Sequence, residues 1–195
     1  MSRWEPDARG RLERAALELY AERGFELTTV AEIAERAGLT ERTFFRHYAD
    51  KREVLFGGEH VLQELFVGAV ATAVEAPWAS GPAVAALDAV AAGLDTVGEM
   101  FAGRHADARR RQAVVNANTA LQERELIKLA TLAAAIAEAL RDRGIPRATA
   151  EVAGEAGIAV FKVAFARWVE VEHETDLRMV MREVLDDLRN LFVAG

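Results

Sequence analysis

The stretch TERTFFRHYADK, residues 40–51, carries the side chains of this chain that are best suited to holding DNA. An arginine such as Arg42 can donate two hydrogen bonds to O6 and N7 of a guanine, a contact worth about 1–3 kcal/mol against the wrong base. Thr43 can offer a hydroxyl group to a base or a phosphate and a methyl group to thymine. The chemistry that these residue types favour is therefore recognition of a duplex.

Side-chain spacing separates this stretch into a core set and an exposed set. Phe44 and Tyr48 lie four residues apart on one face of a helix, together with Leu39, so we expect them in a hydrophobic core. The side chains that this leaves exposed are Thr40, Arg42, Thr43, Arg46 and His47.

Capping residues predict the short helices that would present the stretch. A first helix should end at Gly24, and Thr29 with Glu32 forms a capping box for a second helix over residues 30–37. Thr40 can cap a third helix. Two short helices joined by a glycine-containing turn and supported on both sides are the anatomy of a helix-turn-helix, whose second helix enters a major groove.

The rest of the chain predicts an all-α protein of about nine helices, because Ala, Leu, Glu and Arg dominate and only 4 prolines interrupt. Residues 1–56 should form a helix-turn-helix DNA-binding domain, and a long fourth helix should join it to a helical ligand-binding and dimerisation domain over residues 57–195. The expected body helices, the fourth included, cover residues 51–75, 83–101, 106–118, 122–143, 148–173 and 176–192.

Composition bounds what this chain can do. It has no cysteine, which excludes disulfides, thiol catalysis, zinc–thiolate sites and iron–sulfur clusters. The formal net charge is -7, so DNA would have to be held by a few well-placed cations rather than by bulk charge. Charged residues interrupt the N-terminus and the apolar stretches, so we expect a cytoplasmic protein without an export segment or a membrane span.

Residues 28–56, TTVAEIAERAGLTERTFFRHYADKREVLF, resemble the signature of the TetR family of bacterial one-component transcription regulators. Residues 106–140 resemble, more loosely, the bodies of actinobacterial regulators that include those of the mycofactocin system. The resemblance implies a homodimer that binds a pseudo-palindromic operator, most commonly as a repressor, and that is released by a small molecule bound in the body.

The resemblance also implies roles for individual residues. His47 and Lys51 stand at family positions that clamp phosphates, and Thr29 would present backbone to a phosphate at the start of the second helix. Phe45 stands where the family usually has tyrosine, so a hydroxyl donor is replaced by a ring that can press only against a sugar or a thymine methyl. Arg46 beside it is expected to make up the loss.

A pocket for the effector is expected between the body helices, mostly apolar with few polar groups. The run Arg109–Arg111 could anchor an anionic ligand. For each single residue the alternative is a core aromatic or a solvated charge. The candidate lining residues are Met100, Phe101, His105, Asn116, Asn118, Phe161, Phe165 and Trp168.

The last two helices predict a dimer interface. The eighth helix is apolar on two faces and therefore needs two neighbours, one of which can be a symmetry mate. The alternative is that both faces are internal to a monomer. The expected interface residues are Ala153, Ala156, Val160, Ala164, Leu177, Met181, Val184 and Leu188.

Two adjacent glycines, Gly57 and Gly58, fall inside the expected fourth helix, where each costs about 1 kcal/mol relative to alanine. They would either form a soft joint that couples ligand-driven movement to the head or allow close packing against the first helix. Both explanations remain open at this point.

Catalysis and metal binding are not expected. The 4 histidines are scattered, and the sequence has no Ser-His-Asp order, phosphate loop or H-x-x-x-H spacing. No cofactor is expected either. The remaining alternative to a DNA-binding regulator is a helical small-molecule-binding or protein-docking module that never touches DNA.

Overall fold

The computed structural model describes residues 7–73, 80–171 and 175–193, and the regular structure within these residues is helical. It confirms the predicted all-α fold. The helices are α1 Ala8–Arg23, α2 Val30–Arg36, α3 Glu41–His47, a 3₁₀ helix Glu53–Phe56, α4 Glu59–Ala73, α5 Pro82–Met100, α6 His105–Asn116, α7 Thr119–Asp142, α8 Arg147–Glu170 and α9 Leu177–Val193.

The first three helices begin and end at the residues that their capping chemistry predicts. Asp7 accepts a hydrogen bond from the backbone N–H of Gly10, and Gly24 ends α1 at a φ of 85°, a left-handed value that favours glycine. Thr29 and Glu32 form the reciprocal capping box at the start of α2. Local side-chain chemistry therefore fixes these boundaries.

The fourth helix differs from the prediction because its beginning is a separate 3₁₀ helix. Asp50 Oδ1 accepts from the backbone N–H groups of Arg52 and Glu53 at 2.7 and 3.2 Å, and a single turn follows. The residues Gly57 and Gly58 then separate that turn from α4. The predicted end of the fourth helix falls on residues 74–79, outside the described residues.

Glu53–Ala73 is the one described stretch with the length and composition of a membrane-crossing helix. The break at Gly57–Gly58 divides it into two separate helices. Phe66 and Val70 are both 0% exposed and belong to a hydrophobic core, which accounts for part of its apolar character.

The chain divides into two compact units. The first consists of residues 7–59 together with Arg109–Glu125, and the second of residues 60–108 and 126–193. The core of the first unit includes Val115 and Leu121 from α6 and α7 as well as side chains of α1 to α3. The sequence prediction had placed residues 109–125 with the body, so it missed their packing with the helix-turn-helix.

The second unit is built from closely approaching helices. A Cβ atom on Gly93 of α5 would lie 2.4 Å from the ring of Phe66 in α4, and one on Gly154 of α8 would lie 2.6 Å from the backbone oxygen of Ala133 in α7. These glycines let neighbouring helices pack at short range, because any larger side chain would meet an atom that cannot easily move.

A ladder of ion pairs joins α5 to α9 along the surface of the second unit. Arg182 contacts Asp95 through two hydrogen bonds of 2.9 and 2.7 Å. The ladder continues with Arg178–Glu99 and Arg189–Asp88, each at 3.0 Å. Exposed pairs of this kind contribute about 0–1 kcal/mol each, so their main effect is on register rather than on stability.

The close packing of Gly57 explains one of the two adjacent glycines. The Tyr48 hydroxyl donates a hydrogen bond to Glu13 Oε1 at 2.6 Å and accepts one from Arg9 Nε at 3.1 Å. A Cβ atom on Gly57 would lie 2.2 Å from Glu13 Oε1 and 2.8 Å from the Tyr48 hydroxyl. An added Cβ on Gly58 would meet no atom within 4 Å, so the soft-joint hypothesis stays a hypothesis for Gly58 alone.

We expect Gly57→Ala to lower the free energy of unfolding by about 1–2 kcal/mol, because Glu13 must move and its hydrogen bond with Tyr48 is lost. Gly58→Ala is the matched control and should be neutral or slightly stabilising, since its methyl group enters open space and the substitution restricts the unfolded chain. Urea unfolding of both variants measures the difference. Equal stabilities would show that the packing of Gly57 on α1 is unimportant.

Candidate nucleic-acid interface

One side of α3 is fixed in the core of the first unit. Phe44 is 0% and Tyr48 4% exposed, and their ring centroids are 5.7 Å apart. The predicted division of the stretch into a core set and an exposed set is correct for these residues. Because α3 is anchored on this side, the opposite side is held in a defined orientation.

The outward side of α3 consists of Glu41, Arg42, Phe45 and Arg46, all exposed. Neither arginine makes a hydrogen bond or ion pair with any residue that the structure describes. Phe45 is 55% exposed and its ring stands edge-on to Phe44 at 5.5 Å. The surface thus presents two available guanidinium groups and a supported aromatic ring.

The other predicted contacts on α3 are less available. The hydroxyls of Thr40 and Thr43 lie 3.1 Å apart, and Thr40 also accepts from the backbone N–H of Thr43 because it caps the helix. Thr43 and His47 are half-buried. The Nε2 atom of His47 is buried and has no hydrogen-bond partner among the described residues, so this nitrogen does not face a phosphate in this conformation.

Thr29 is engaged in capping α2. Its backbone N–H donates to Glu32 Oε2 at 2.9 Å, and its hydroxyl accepts from the backbone N–H of Glu32. These hydrogen bonds with Thr29, followed by that with Arg23, hold the pKa of the Glu32 carboxyl below its usual range. The backbone donor that the sequence had assigned to a phosphate already has an acceptor within the protein.

Lys51 is not a free phosphate clamp. Its ammonium donates to the backbone oxygens of Phe25, Glu26 and Thr28 at 2.9, 3.2 and 3.0 Å, and it lies 4.4 Å from the centre of the Phe25 ring. An ammonium has only three donors, so all of them are used. The structure therefore corrects the predicted role: Lys51 ties down the loop between α1 and α2.

We expect Lys51→Met to lower the free energy of unfolding by about 2 kcal/mol, because three backbone oxygens lose a charged donor. Arg46→Met is the matched control: it also removes a cation from the first unit, but one without a partner among the described residues. Thermal unfolding followed by circular dichroism compares the two. If Lys51→Met is as stable as Arg46→Met, the three hydrogen bonds of Lys51 do not stabilise the loop, and its ammonium is available to a phosphate.

The segment Arg109–Glu125 holds the 3₁₀ helix from within the same unit. Arg111 donates from Nε to the backbone oxygen of Leu55 at 2.9 Å and from a terminal nitrogen to Glu125 at 2.9 Å. Its guanidinium lies 4.9 Å from the centre of the Phe56 ring. Nε and one terminal nitrogen of Arg111 are thus engaged within the protein, which corrects its predicted use as an anchor for an anionic ligand.

Arg124 adds a second link to the 3₁₀ helix, through a hydrogen bond of 2.5 Å to Glu53 that raises the pKa of the guanidinium. Sequence reasoning missed Arg111 and Arg124 as structural residues. Their partners lie 56 and 71 residues away along the chain, a distance over which no local pattern carries a signal.

The predicted ligand-binding residues do not form one site. Rings of the second unit pack on one another, with Phe101 at 5.4 Å from Phe165 and His105 at 4.8 Å from Trp168. The imidazole Nε2 of His105 lies 2.9 Å from the backbone oxygen of Trp168. Phe161 joins this aromatic cluster through Phe165, at 5.6 Å.

Two of the predicted ligand-binding residues belong to the first unit instead. Asn118 caps the start of α7 by accepting from the backbone N–H groups of Ala120 and Leu121, and its amide donates to Glu26. Asn116 accepts from Gln112. Met100 is half-buried at the end of α5. A groove of about 290 Å³ in the second unit is lined by other residues: Ala91, Leu94, Asp95, Met181, Arg182, Leu185, Asp186 and Arg189.

The predicted dimer residues mostly face the core of their own chain. Ala156 and Leu188 are half-buried. The remaining six are 0–7% exposed and cannot meet a second chain in this conformation: Ala153, Val160, Ala164, Leu177, Met181 and Val184. The face chosen from the sequence is thus corrected. The outward side of α8 carries Val152 at 70% and Val163 at 44% exposure.

No group of three or more metal-ligating side chains occurs among the described residues. His60 and Glu64 approach to 3.2 Å on the surface of α4, but they are only two ligands and both are exposed.

Comparison with known proteins places the exposed face of α3 in context. Residues 13–56 match the family model of bacterial regulatory proteins, tetR family. The chain is 45% identical over 62 residues to the HTH-type transcriptional regulator TcmR of Streptomyces glaucescens, covering 32% of this chain and 27% of that protein. It is 40% identical over 47 residues to the HTH-type transcriptional repressor KstR2 of Mycobacterium tuberculosis, covering 24% of each.

The fold likeness extends over nearly the whole chain. The crystal structure of the transcriptional regulator FadR of Bacillus subtilis, in complex with stearoyl-CoA, superposes with a TM-score of 0.60 and 19% identity, covering 92% of this chain and 96% of that one. The sequence matches, in contrast, span only about a quarter of the length of the curated relatives.

The helix-turn-helix of this chain is therefore of the kind found in bacterial regulatory proteins, and the helical body that follows it has the fold of a solved transcriptional regulator. Residues 13–56 carry the DNA-binding domain of the TetR family of bacterial regulatory proteins. The resemblance found in the sequence is confirmed, and the alternative of a module that never touches DNA is disfavoured.

Proposed function

We propose that this protein is a ligand-responsive transcriptional repressor that binds a pseudo-palindromic operator as a homodimer and acts in the cytoplasm. The observation that carries the proposal is the outward side of α3. Arg42 and Arg46 are exposed without a partner among the described residues, on a helix whose opposite side is buried. A recognition helix needs this arrangement, since its free donors must reach base edges and phosphates while its backbone stays fixed.

Arg42 is the base-reading candidate of the proposal. It lies near the N-terminus of α3, the end of a recognition helix that contacts bases, and its guanidinium is free to form two hydrogen bonds with a guanine. Arg46 lies one turn further along the same row. Thr40, Thr43, His47 and the backbone of Thr29 remain proposed as secondary contacts that would require local rearrangement.

We expect Arg42→Ala to weaken binding to the cognate operator by about 1–3 kcal/mol and to relax the base preference at one position of each half-site. The operator is first obtained by selection from random duplexes with the wild-type protein, and affinities are then measured by fluorescence anisotropy. Arg143→Ala, which removes an exposed arginine from the second unit, is the control and should bind as wild type.

Losses of equal size on operator and random duplex would contradict the base-reading role of Arg42. Failure of the wild-type protein to select any duplex would contradict the proposed function itself.

The dimer surface is proposed on the outward side of α8. Val152, Ala159, Val163 and Ala166 recur there at spacings of seven, four and three residues, so they lie on one helix face, and all four are exposed. Ala156, which the sequence analysis had assigned to the interface, lies half-buried at the edge of this face. Small side chains on this face would allow two helices to approach closely around a two-fold axis.

We expect Val163→Asp to convert a dimer into a species of 21.3 kDa, because it places a charge in the middle of the apolar face. Val84→Asp on α5 is a matched control, since Val84 is 45% and Val163 44% exposed. Light scattering after gel filtration gives the mass. A dimeric Val163→Asp protein would show that the contact lies elsewhere.

The effector is proposed to bind within the second unit beside the aromatic cluster. Phe101 and Phe165 are half-buried there and pack against fully buried Trp168, so an apolar ligand would extend an existing aromatic surface. Release of labelled operator during titration with small molecules identifies the effector. Acyl-CoA molecules are reasonable first probes, because FadR of Bacillus subtilis has been solved with stearoyl-CoA.

A further inference from the structure

The outward side of α3 is divided into two chemically different rows. Residues four apart on a helix lie one above the other. Arg42 and Arg46 therefore form a basic row, and Glu41 and Phe45 form a second row of one carboxylate and one ring. Glu41 lies in the first turn of α3, where the positive end of the helix dipole stabilises an acid in the free protein.

The carboxylate of Glu41 would face DNA if α3 entered a major groove. It is exposed and makes no hydrogen bond or ion pair within the described part of the chain. Near phosphates such a group is repelled, and each repulsive contact lowers affinity for every sequence. A favourable contact in the groove needs a donor on a base edge, and the N4 amino group of cytosine is the usual donor to a carboxylate there.

Phe45 is held ready for a contact of a different kind. It is 55% exposed, and its ring stands at 80° to that of Phe44, which is fully buried. This edge-on support limits how the exposed ring can turn. An aromatic ring has no hydrogen-bond donor for a phosphate, but it can contact the C5 methyl group of thymine, which projects into the major groove.

We propose that Glu41 and Phe45 form a pyrimidine-reading row, in which Glu41 accepts a hydrogen bond from the N4 amino group of a cytosine and Phe45 contacts the methyl group of a thymine. The inference rests on the proposed function, since it requires that α3 enters a major groove. Four residues of helix span about 6 Å, so the two bases should lie within about two steps of each other.

The thymine contact is tested with the selected operator, in which single thymines are replaced by deoxyuridine to remove only the methyl group. For the wild-type protein we expect about a fourfold loss of affinity at one thymine per half-site, the effect of exposing one buried methyl group. Phe45→Ala should bind the thymine and deoxyuridine operators equally. Phe45→Tyr, which keeps the ring, should keep the difference.

The cytosine contact is tested by base substitution at each cytosine within two steps of that thymine. Wild-type protein should prefer cytosine at one of these positions by at least about fivefold, and Glu41→Ala should lose the preference. Glu35→Ala is the matched control, because Glu35 is an exposed acid of α2 without a partner in the described residues. It should raise affinity for all duplexes and leave every base preference unchanged.

The outcomes separate the two levels of inference. If the wild-type protein selects no operator, the proposed function fails. If it selects one but the methyl dependence survives in Phe45→Ala, or the cytosine preference survives in Glu41→Ala, the pyrimidine-reading row is overturned while the function stands. Loss of both preferences supports the proposal when Glu35→Ala keeps the wild-type specificity and the Phe45→Ala and Glu41→Ala variants keep the wild-type melting temperature.

Discussion

The burial of Phe44 and Tyr48 is the constraint on which the first unit depends. Helix α3 has only 7 residues, far fewer than the roughly 12–15 that an isolated helix needs to be even marginally stable in water. Its conformation therefore comes from packing. The phenol of Tyr48 is in turn bonded to Glu13 and Arg9 of α1, and burial followed by the bond with Glu13 raises its pKa, so it remains a donor. Gly57 leaves room for this bond.

Residues far apart in sequence share the same core. Val115 and Leu121, both 0% exposed, come from α6 and α7 and pack with side chains of the helix-turn-helix. Arg111 and Arg124 fasten the same segment to the 3₁₀ helix. Helices α6 and α7 therefore contribute side chains to both compact units, and neither helix can be assigned to a separate ligand-binding domain. A division of the chain at a single residue does not describe how it is built.

The features that the sequence predicted well are those with local causes. The caps at Thr29 and Thr40 act on backbone groups three residues away, so their signal is present in any short window. Lys51 could not be read correctly in the same way, because its acceptors lie 23 to 26 residues earlier in a loop without regular structure. The predicted interface face of α8 was wrong for another reason. Both faces of this helix are apolar, and periodicity alone does not show which face packs against the core of its own chain.

The ion-pair ladder between α5 and α9 also limits how the second unit can move. Its partners are related by one antiparallel register, because Arg178 pairs with Glu99, Arg182 with Asp95 and Arg189 with Asp88. Sliding α9 by one turn would bring Arg178 to the level of Gly103 and Arg189 to the level of Ala92, so both would lose their acceptors on α5 and keep only the nearby Asp176 and Asp186. Ratchet-like displacement of one helix past its neighbour is thereby disfavoured for this pair. The charges therefore favour one register of α9 on α5, and a movement that carried the two helices together would keep all three ion pairs.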